Sequence, residues 1–148
     1  MKTIVIYLVS FLFMLVAYAG ESLNNKQPKT EQGIEFFEGS WAEALELATK
    51  ENKLVFLDIY ASWCGPCKRL KSNTFSDIHV GNLYNDSFIN VAIDGEKGEG
   101  PLLARKYGVR AYPSLIFVDQ NGKLITATKG YHNAQQFLQL GQEVLRKK

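Results

Sequence analysis

Leu54-Val55-Phe56-Leu57-Asp58-Ile59-Tyr60 is a short apolar run bounded by polar residues, and it leads directly into Trp63-Cys64-Gly65-Pro66-Cys67. The run has the length and composition of a buried strand. From Lys68 to Phe75 the apolar residues recur at helical spacing. The two cysteines, the only ones in the chain, therefore sit where a strand turns into a helix. That juncture is the expected setting of a redox-active cysteine pair.

The position carries chemical consequences. Cys64 falls in the first helical turn, where free backbone N–H groups and the positive end of the helix macrodipole favour a negative charge. The thiolate is the form that attacks a disulfide. Pro66 suits the first turn, where its missing N–H has no partner to lose. Cys67, one turn further in, is expected to be shielded and to act second, on the mixed disulfide that Cys64 forms. Half of a metal site and a structural disulfide are the competing readings. Zinc needs about four ligands, and His79 and His132 have no second cysteine pair to join. A structural loop this short constrains little of the unfolded chain.

The N-terminus reads as a targeting segment covering residues 1–19. Met1-Lys2 gives a positive start, Ile4 to Val16 is apolar, and Ala17-Tyr18-Ala19 places small residues where a signal peptidase reads. The apolar run falls short of the about 20 residues of a transmembrane helix, although an uncleaved anchor stays open. Export would put the cysteines in an oxidising compartment such as a bacterial periplasm. Net charge is +2, with no basic stripe and no block of like charge, which points away from nucleic acid and anionic membranes as partners.

Residues 20–32 are polar and read as a flexible linker; residues 33–148 read as one domain. Ile34-Glu35-Phe36-Phe37 is a short strand candidate. Ser40-Trp41-Ala42-Glu43 is a capping box that opens a helix to about Glu51. Ile78 to Phe88 has helical spacing, and Ile89 to Asp94 is the next strand. Gly95-Glu96-Lys97-Gly98-Glu99-Gly100 reads as a flexible loop; it lacks the Lys-Ser/Thr ending of a phosphate loop. Pro101 to Tyr107 suits a short helix ending at Gly108. Leu115–Val118 and Lys123–Ala127 flank Asn121-Gly122, a hairpin signal. Asn133-Ala134-Gln135-Gln136 is a second capping box before the last helix. Strands alternating with helices and closing on a hairpin predict an α/β domain with a central mixed sheet flanked by helices.

Leu57-Asp58-Ile59-Tyr60-Ala61-Ser62-Trp63-Cys64-Gly65-Pro66-Cys67-Lys68 resembles the active-site segment of thioredoxins, and Tyr107-Gly108-Val109-Arg110-Ala111-Tyr112-Pro113-Ser114 resembles their second signature. Trp41-Ala42-Glu43-Ala44 and Thr74-Phe75-Ser76-Asp77 are similar instead to the periplasmic C-terminal domain of DsbD-type membrane reductases and to small exported thioredoxin-like proteins. The resemblance implies a thioredoxin fold and a thiol:disulfide oxidoreductase with no cofactor, since the dithiol carries the electrons. It implies oxidised proteins as substrates, a DsbD-type membrane electron donor, and a monomer. It further implies that Pro113 is cis and faces Cys64, that Tyr112 touches the substrate, and that Trp63, Gly65 and Pro66 complete the surface around the pair. Asp58 would lie behind the cysteines with a raised pKa and take the proton of Cys67. A strand-end acid facing water, and a merely packed Trp63, are the plainer readings of those two residues.

Three departures from the pattern stand out. Asn90 occupies the place where thioredoxins often carry a lysine near the buried acid. Lys71 stands where the DsbD-type domain tends to carry a glutamate, and a cation there would favour the thiolate. The residues between the cysteines are thioredoxin's Gly-Pro. Reduction of protein disulfides is the expected activity; an oxidant or isomerase, and a non-enzymatic substrate-binding or chaperone module, are the rivals.

Overall fold

A strand whose side chains are apolar on both faces has no solvent side, so it must run through the middle of a sheet with cover above and below. Leu54–Tyr60 is such a strand: six of its seven residues are buried. The structure, a computed structural model, describes residues 32–147. Residues 1–19 and most of the linker expected at 20–32 lie outside the described residues.

In chain order the elements are α1 (Trp41–Glu51), β1 (Leu54–Tyr60), α2 (Gly65–Asn73), α3 (Ile78–Ser87), β2 (Phe88–Asp94), α4 (Gly100–Lys106), β3 (Ser114–Val118), β4 (Leu124–Lys129) and α5 (Ala134–Leu145). The sheet order is β2-β1-β3-β4. β1 is parallel to β2 and antiparallel to β3, and β3 is antiparallel to β4. The parallel pair requires a crossover, which α2 and α3 supply. The mixed sheet between helices is the predicted architecture.

The two-residue period of β1 sorts its neighbours into two cores. Val55, Leu57 and Ile59 pack with Trp41, Ala44 and Ala48 of α1 and Leu103 of α4. Leu54 and Phe56 face Leu70, Val80, Tyr84, Phe137 and Val144, contributed by α2, α3 and α5. Phe56 is the hub of the second core. Its ring centroid lies 5.9 Å from Phe75, 5.3 Å from Tyr84, 5.2 Å from Phe117 and 5.3 Å from Phe137. Tyr84 stacks on Phe137 at 4.3 Å and donates its hydroxyl to the Phe137 carbonyl at 2.9 Å, so its one polar atom is satisfied in the interior. Asp58 shares the alternation of Leu54 and Phe56 and therefore points to the α2 side.

Both predicted capping boxes form. Ser40 N donates to Glu43 Oε2 at 2.7 Å while Ser40 Oγ accepts from Glu43 N at 3.3 Å. Asn133 and Gln136 repeat the exchange at 3.0 and 2.9 Å. Gly108 (φ 65°) follows α4, and Gly122 (φ 72°) closes the β3–β4 turn, both in the left-handed region that favours glycine.

One element differs from expectation. Ile34–Phe37 is extended but forms no strand of the sheet. Phe37 N donates to Asn90 O at 2.8 Å, and Ile34 N is drawn instead to Phe75 O at 2.7 Å. Side-chain amides take the groups a ladder would use: Asn85 Oδ1 accepts from Glu35 N at 2.9 Å, and Asn90 Nδ2 donates to Glu35 O at 3.3 Å.

Phe56→Ala empties the hub of the ring cluster and is expected to destabilise the protein by about 3–5 kcal/mol. Urea denaturation followed by circular dichroism measures this loss.

Candidate active site

The site forms where β1 ends and α2 begins. Cys64 is the N-cap residue of α2, with extended backbone, and its Sγ accepts from Cys67 N at 3.2 Å. A sulfur thus fills the position usually held by Ser, Thr, Asp or Asn. Pro66 lies in the first turn, and Cys64 and Cys67 are bonded to each other. The shielding expected of Cys67 holds, at 7% exposure, and Cys64 shares it at 3% in the oxidised pair. What separates them is surroundings. Cys64 sits at the helix end, whereas Cys67 lines a cleft of about 320 Å³ together with Asp58, Tyr60, Lys71 and Phe75.

Asp58 is buried, at 5% exposure, which removes the reading of a strand-end acid facing water. Its Oδ1 has no hydrogen-bond partner among the described residues. Burial pushes its carboxyl up from 3.8 to about 7, with no opposing cation. Asn90 does not replace one, because its amide is committed to Glu35 O and to Asn85 Oδ1 (3.1 Å). Asp58 pairs across the sheet with Ala92. Lys68 and Lys71 are exposed residues lining the same cleft.

The Tyr112–Pro113 bond is cis. Pro113 is buried and its carbonyl accepts from Gly130 N at 2.9 Å. Tyr112 packs with Tyr60 against the cluster of Ala61, Cys64 and Cys67. Its ring meets Trp63 edge-on at 6.1 Å. Desolvation, then the charges of Glu96 and Asp94, raise the Tyr112 hydroxyl pKa. Trp63 is 67% exposed, so it is a surface aromatic beside the pair and not a packed core residue. Gly65 and Pro66 are exposed next to it. Seven of the eight residues expected at the site lie at the cysteine pair or its cleft, and the eighth, Pro113, follows Tyr112, which packs against the pair.

Sequence reasoning missed Glu96. The Gly95–Gly100 segment, expected to be a flexible loop, is a turn held by specific bonds. Gly95 N donates to Tyr60 O at 2.7 Å, Lys97 pairs with Asp94 at 3.3 Å, and Glu99 Oε2 accepts from Trp41 N at 2.9 Å. Glu96 accepts the Trp63 indole N–H with both carboxylate oxygens, at 3.2 and 3.1 Å. Apart from Asp94, these partners are far away in sequence, so no local signal points to them. His79 and His132 stand outside the site's chemistry. His79 N is bonded to the capping Asp77 at 2.9 Å, and the His132 ring faces the Gly130 carbonyl at 3.1 Å.

A bonded cysteine pair at a helix start, behind it a buried acid and beside it a cis-proline, defines a domain built for thiol–disulfide exchange. The description "Thioredoxin-like domain" fits residues 41–145, the stretch matched by that family's model, and the chain belongs to the thioredoxin-like disulfide oxidoreductases. It is 38% identical over 96 residues to the thiol:disulfide interchange protein DsbD of Yersinia pestis (strain Pestoides F), a match covering 63% of this chain and 16% of that protein. A solved structure from Bacteroides thetaiotaomicron, described as a candidate disulphide-isomerase, is 40% identical with a TM-score of 0.70, covering 80% of this chain and 98% of that one. The reduced C-terminal domain of Neisseria meningitidis DsbD is 27% identical with a TM-score of 0.58, over 68% and 90% of the two chains.

Asp58 sets a pH dependence whose sign follows from its raised pKa. Below about pH 4 the carboxyl is neutral in folded and unfolded chains and contributes nothing. Between about 4 and about 7 only the unfolded chain ionises, so stability falls as pH rises. Above about 7 the whole penalty, up to about 4 kcal/mol, persists. Asp58→Asn is expected to match the parent at pH 4 and exceed it by that margin at pH 9, as read by urea denaturation of the oxidised protein.

Proposed function

We propose that the chain is an exported reductase of protein disulfides, with Cys64 as nucleophile, Cys67 as resolving thiol and Asp58 as the group that moves the proton. The observation that carries this reading is the Cys64 Sγ at the N-cap of α2, accepting the Cys67 N–H. An anion at that position gains from the helix end, so the attacking thiolate is favoured. The Cys64 thiolate attacks one sulfur of the substrate disulfide, and the other leaves as a thiolate that takes a proton from water. Asp58, ionised at neutral pH to a substantial degree, accepts the Cys67 proton through the cleft. The Cys67 thiolate then attacks Cys64 Sγ, releasing the second substrate sulfur reduced. Two electrons have passed, and the protein is left with the bonded pair seen in the structure.

The direction of reaction follows from the Gly-Pro between the cysteines, as in thioredoxin, whose potential is about −270 mV against about −120 mV for the strong periplasmic oxidant. Electrons would come from a membrane donor of the DsbD type, the class to which the similar thiol:disulfide interchange protein of Yersinia pestis belongs. The leader read at residues 1–19 supports action in the periplasm; no helix among the described residues is long and apolar enough to cross a membrane. The backbone at Tyr112 and Pro113, next to the cysteine pair, would suit a substrate strand added by backbone hydrogen bonds. The rival with an observation behind it is an oxidant or isomerase, favoured by the likeness to the Bacteroides thetaiotaomicron structure.

Equilibration in graded thiol–disulfide buffers is expected to give a potential of about −250 mV or lower; a value above about −180 mV sinks the reductase reading in favour of the rival. Cys67→Ser is expected to trap substrates as mixed disulfides on Cys64, visible on non-reducing gels, and Cys64→Ser to trap none.

A further inference from the structure

An indole left largely in water normally samples several rotamers, and fixing it costs conformational entropy. Trp63 is 67% exposed, yet it is fastened at both ends. Its N–H is shared by the two Glu96 oxygens at 3.1 and 3.2 Å, and its ring edge rests against Tyr112 at 6.1 Å. Glu96 is itself anchored. Its N–H donates to Asp94 Oδ1 at 3.0 Å, Asp94 is tied to Lys97, and Gly95 N is bonded to Tyr60 O. The turn also presses on Tyr112 directly: a Cβ on Gly95 would stand 2.7 Å from the Tyr112 hydroxyl, so only glycine lets the turn approach this closely. Turn, Trp63 and Tyr112 form one wall next to Cys64. No step of the exchange uses Glu96, and the bond to Trp63 gives the buried core nothing, since both partners are exposed.

We infer that Glu96 is a positioning residue for substrate binding: it holds the Trp63 indole upright as a preformed wall of the groove that receives an extended peptide around its disulfide. This rests on the reading of the site as a disulfide reductase and adds what determines its preference for peptides over small disulfides. A small symmetrical disulfide reaches the Cys64 sulfur without spanning the wall; a peptide strand must lie against it. Pre-ordering the indole removes an ordering cost that the peptide complex would otherwise bear.

The test uses pre-reduced protein in single turnover, with second-order rate constants measured for a disulfide-bonded peptide and for hydroxyethyl disulfide. The peptide-to-small-disulfide ratio is expected to fall about five- to tenfold in Glu96→Ala, the size of one net hydrogen bond. Glu96→Gln keeps an acceptor for the indole and is expected to restore the ratio to within about twofold. In a Trp63→Ala background the Glu96→Ala effect should vanish, because the residue acts through the indole. A ratio unmoved by Glu96→Ala, a Gln variant as poor as the Ala variant, or an undiminished effect without Trp63 each overturns the assignment. Wild-type protein that reduces neither disulfide overturns the reductase reading and this assignment with it; turnover with an unchanged ratio overturns only the assignment.

Discussion

Taking Leu54–Tyr60 out of water on both faces leaves its backbone N–H and C=O groups with no partners except other strands. β2 on one edge and β3 on the other supply them, each along almost the whole strand. The side chains then need two layers of cover, which fixes α1 and α4 on one face and α2, α3 and α5 on the other. Because β1 is central, its C-terminal end opens onto the start of α2 at the top of the sheet. The cysteines are thus placed by a central strand paired on both edges. A site that must hold two sulfurs within bonding reach gains from resting on such an element.

The same burial explains why Asp58 is both costly and useful. A carboxyl in a strand otherwise made of Leu, Val, Phe, Ile and Tyr opposes folding whenever it is charged. The Phe56 ring cluster next to it is large enough to bear this penalty, since one such ring contributes on the order of 3–5 kcal/mol. What the penalty secures is a carboxyl that changes charge near neutral pH in the cleft it shares with Cys67. With Asn90 engaged elsewhere and the cleft's lysines in solvent, no fixed cation pulls the carboxyl back to its ordinary range.

Much of this was legible in the sequence, and the boundary of legibility is physical. The β1 run, the two capping boxes, the Asn121-Gly122 turn and the cysteine juncture are local patterns, determined by residues within a few positions of one another. The overturned expectations all depend on distant partners. Ile34–Phe37 has strand composition, but Asn85 and Asn90, more than 45 residues away, take its backbone groups. The glycine-rich turn after β2 looks mobile by composition, yet it is held by Tyr60, Trp63 and Trp41.

In the proposed exchange, two opposed electrostatic effects act at the ends of the cysteine pair. α2 has no acidic residue in its first turn, so the only group available to answer its positive end is the Cys64 sulfur. A thiolate there is stabilised, which favours the reduced state and, acting alone, would make the protein an oxidant. Asp58 acts on the other sulfur. In that exchange a carboxylate in the cleft shared with Cys67 would disfavour a second anion there, so the thiol would stay protonated until the mixed disulfide has formed. Lys71, at the cleft but in water, screens this effect only weakly, since an exposed charge acts through a high dielectric. On that proposal the helix end selects which sulfur attacks, and the buried acid delays the other. A pair with the first influence and not the second would accept electrons readily and release them poorly; under the proposed reductase reading, the acid in the cleft of Cys67 is what would let the dithiol give them up.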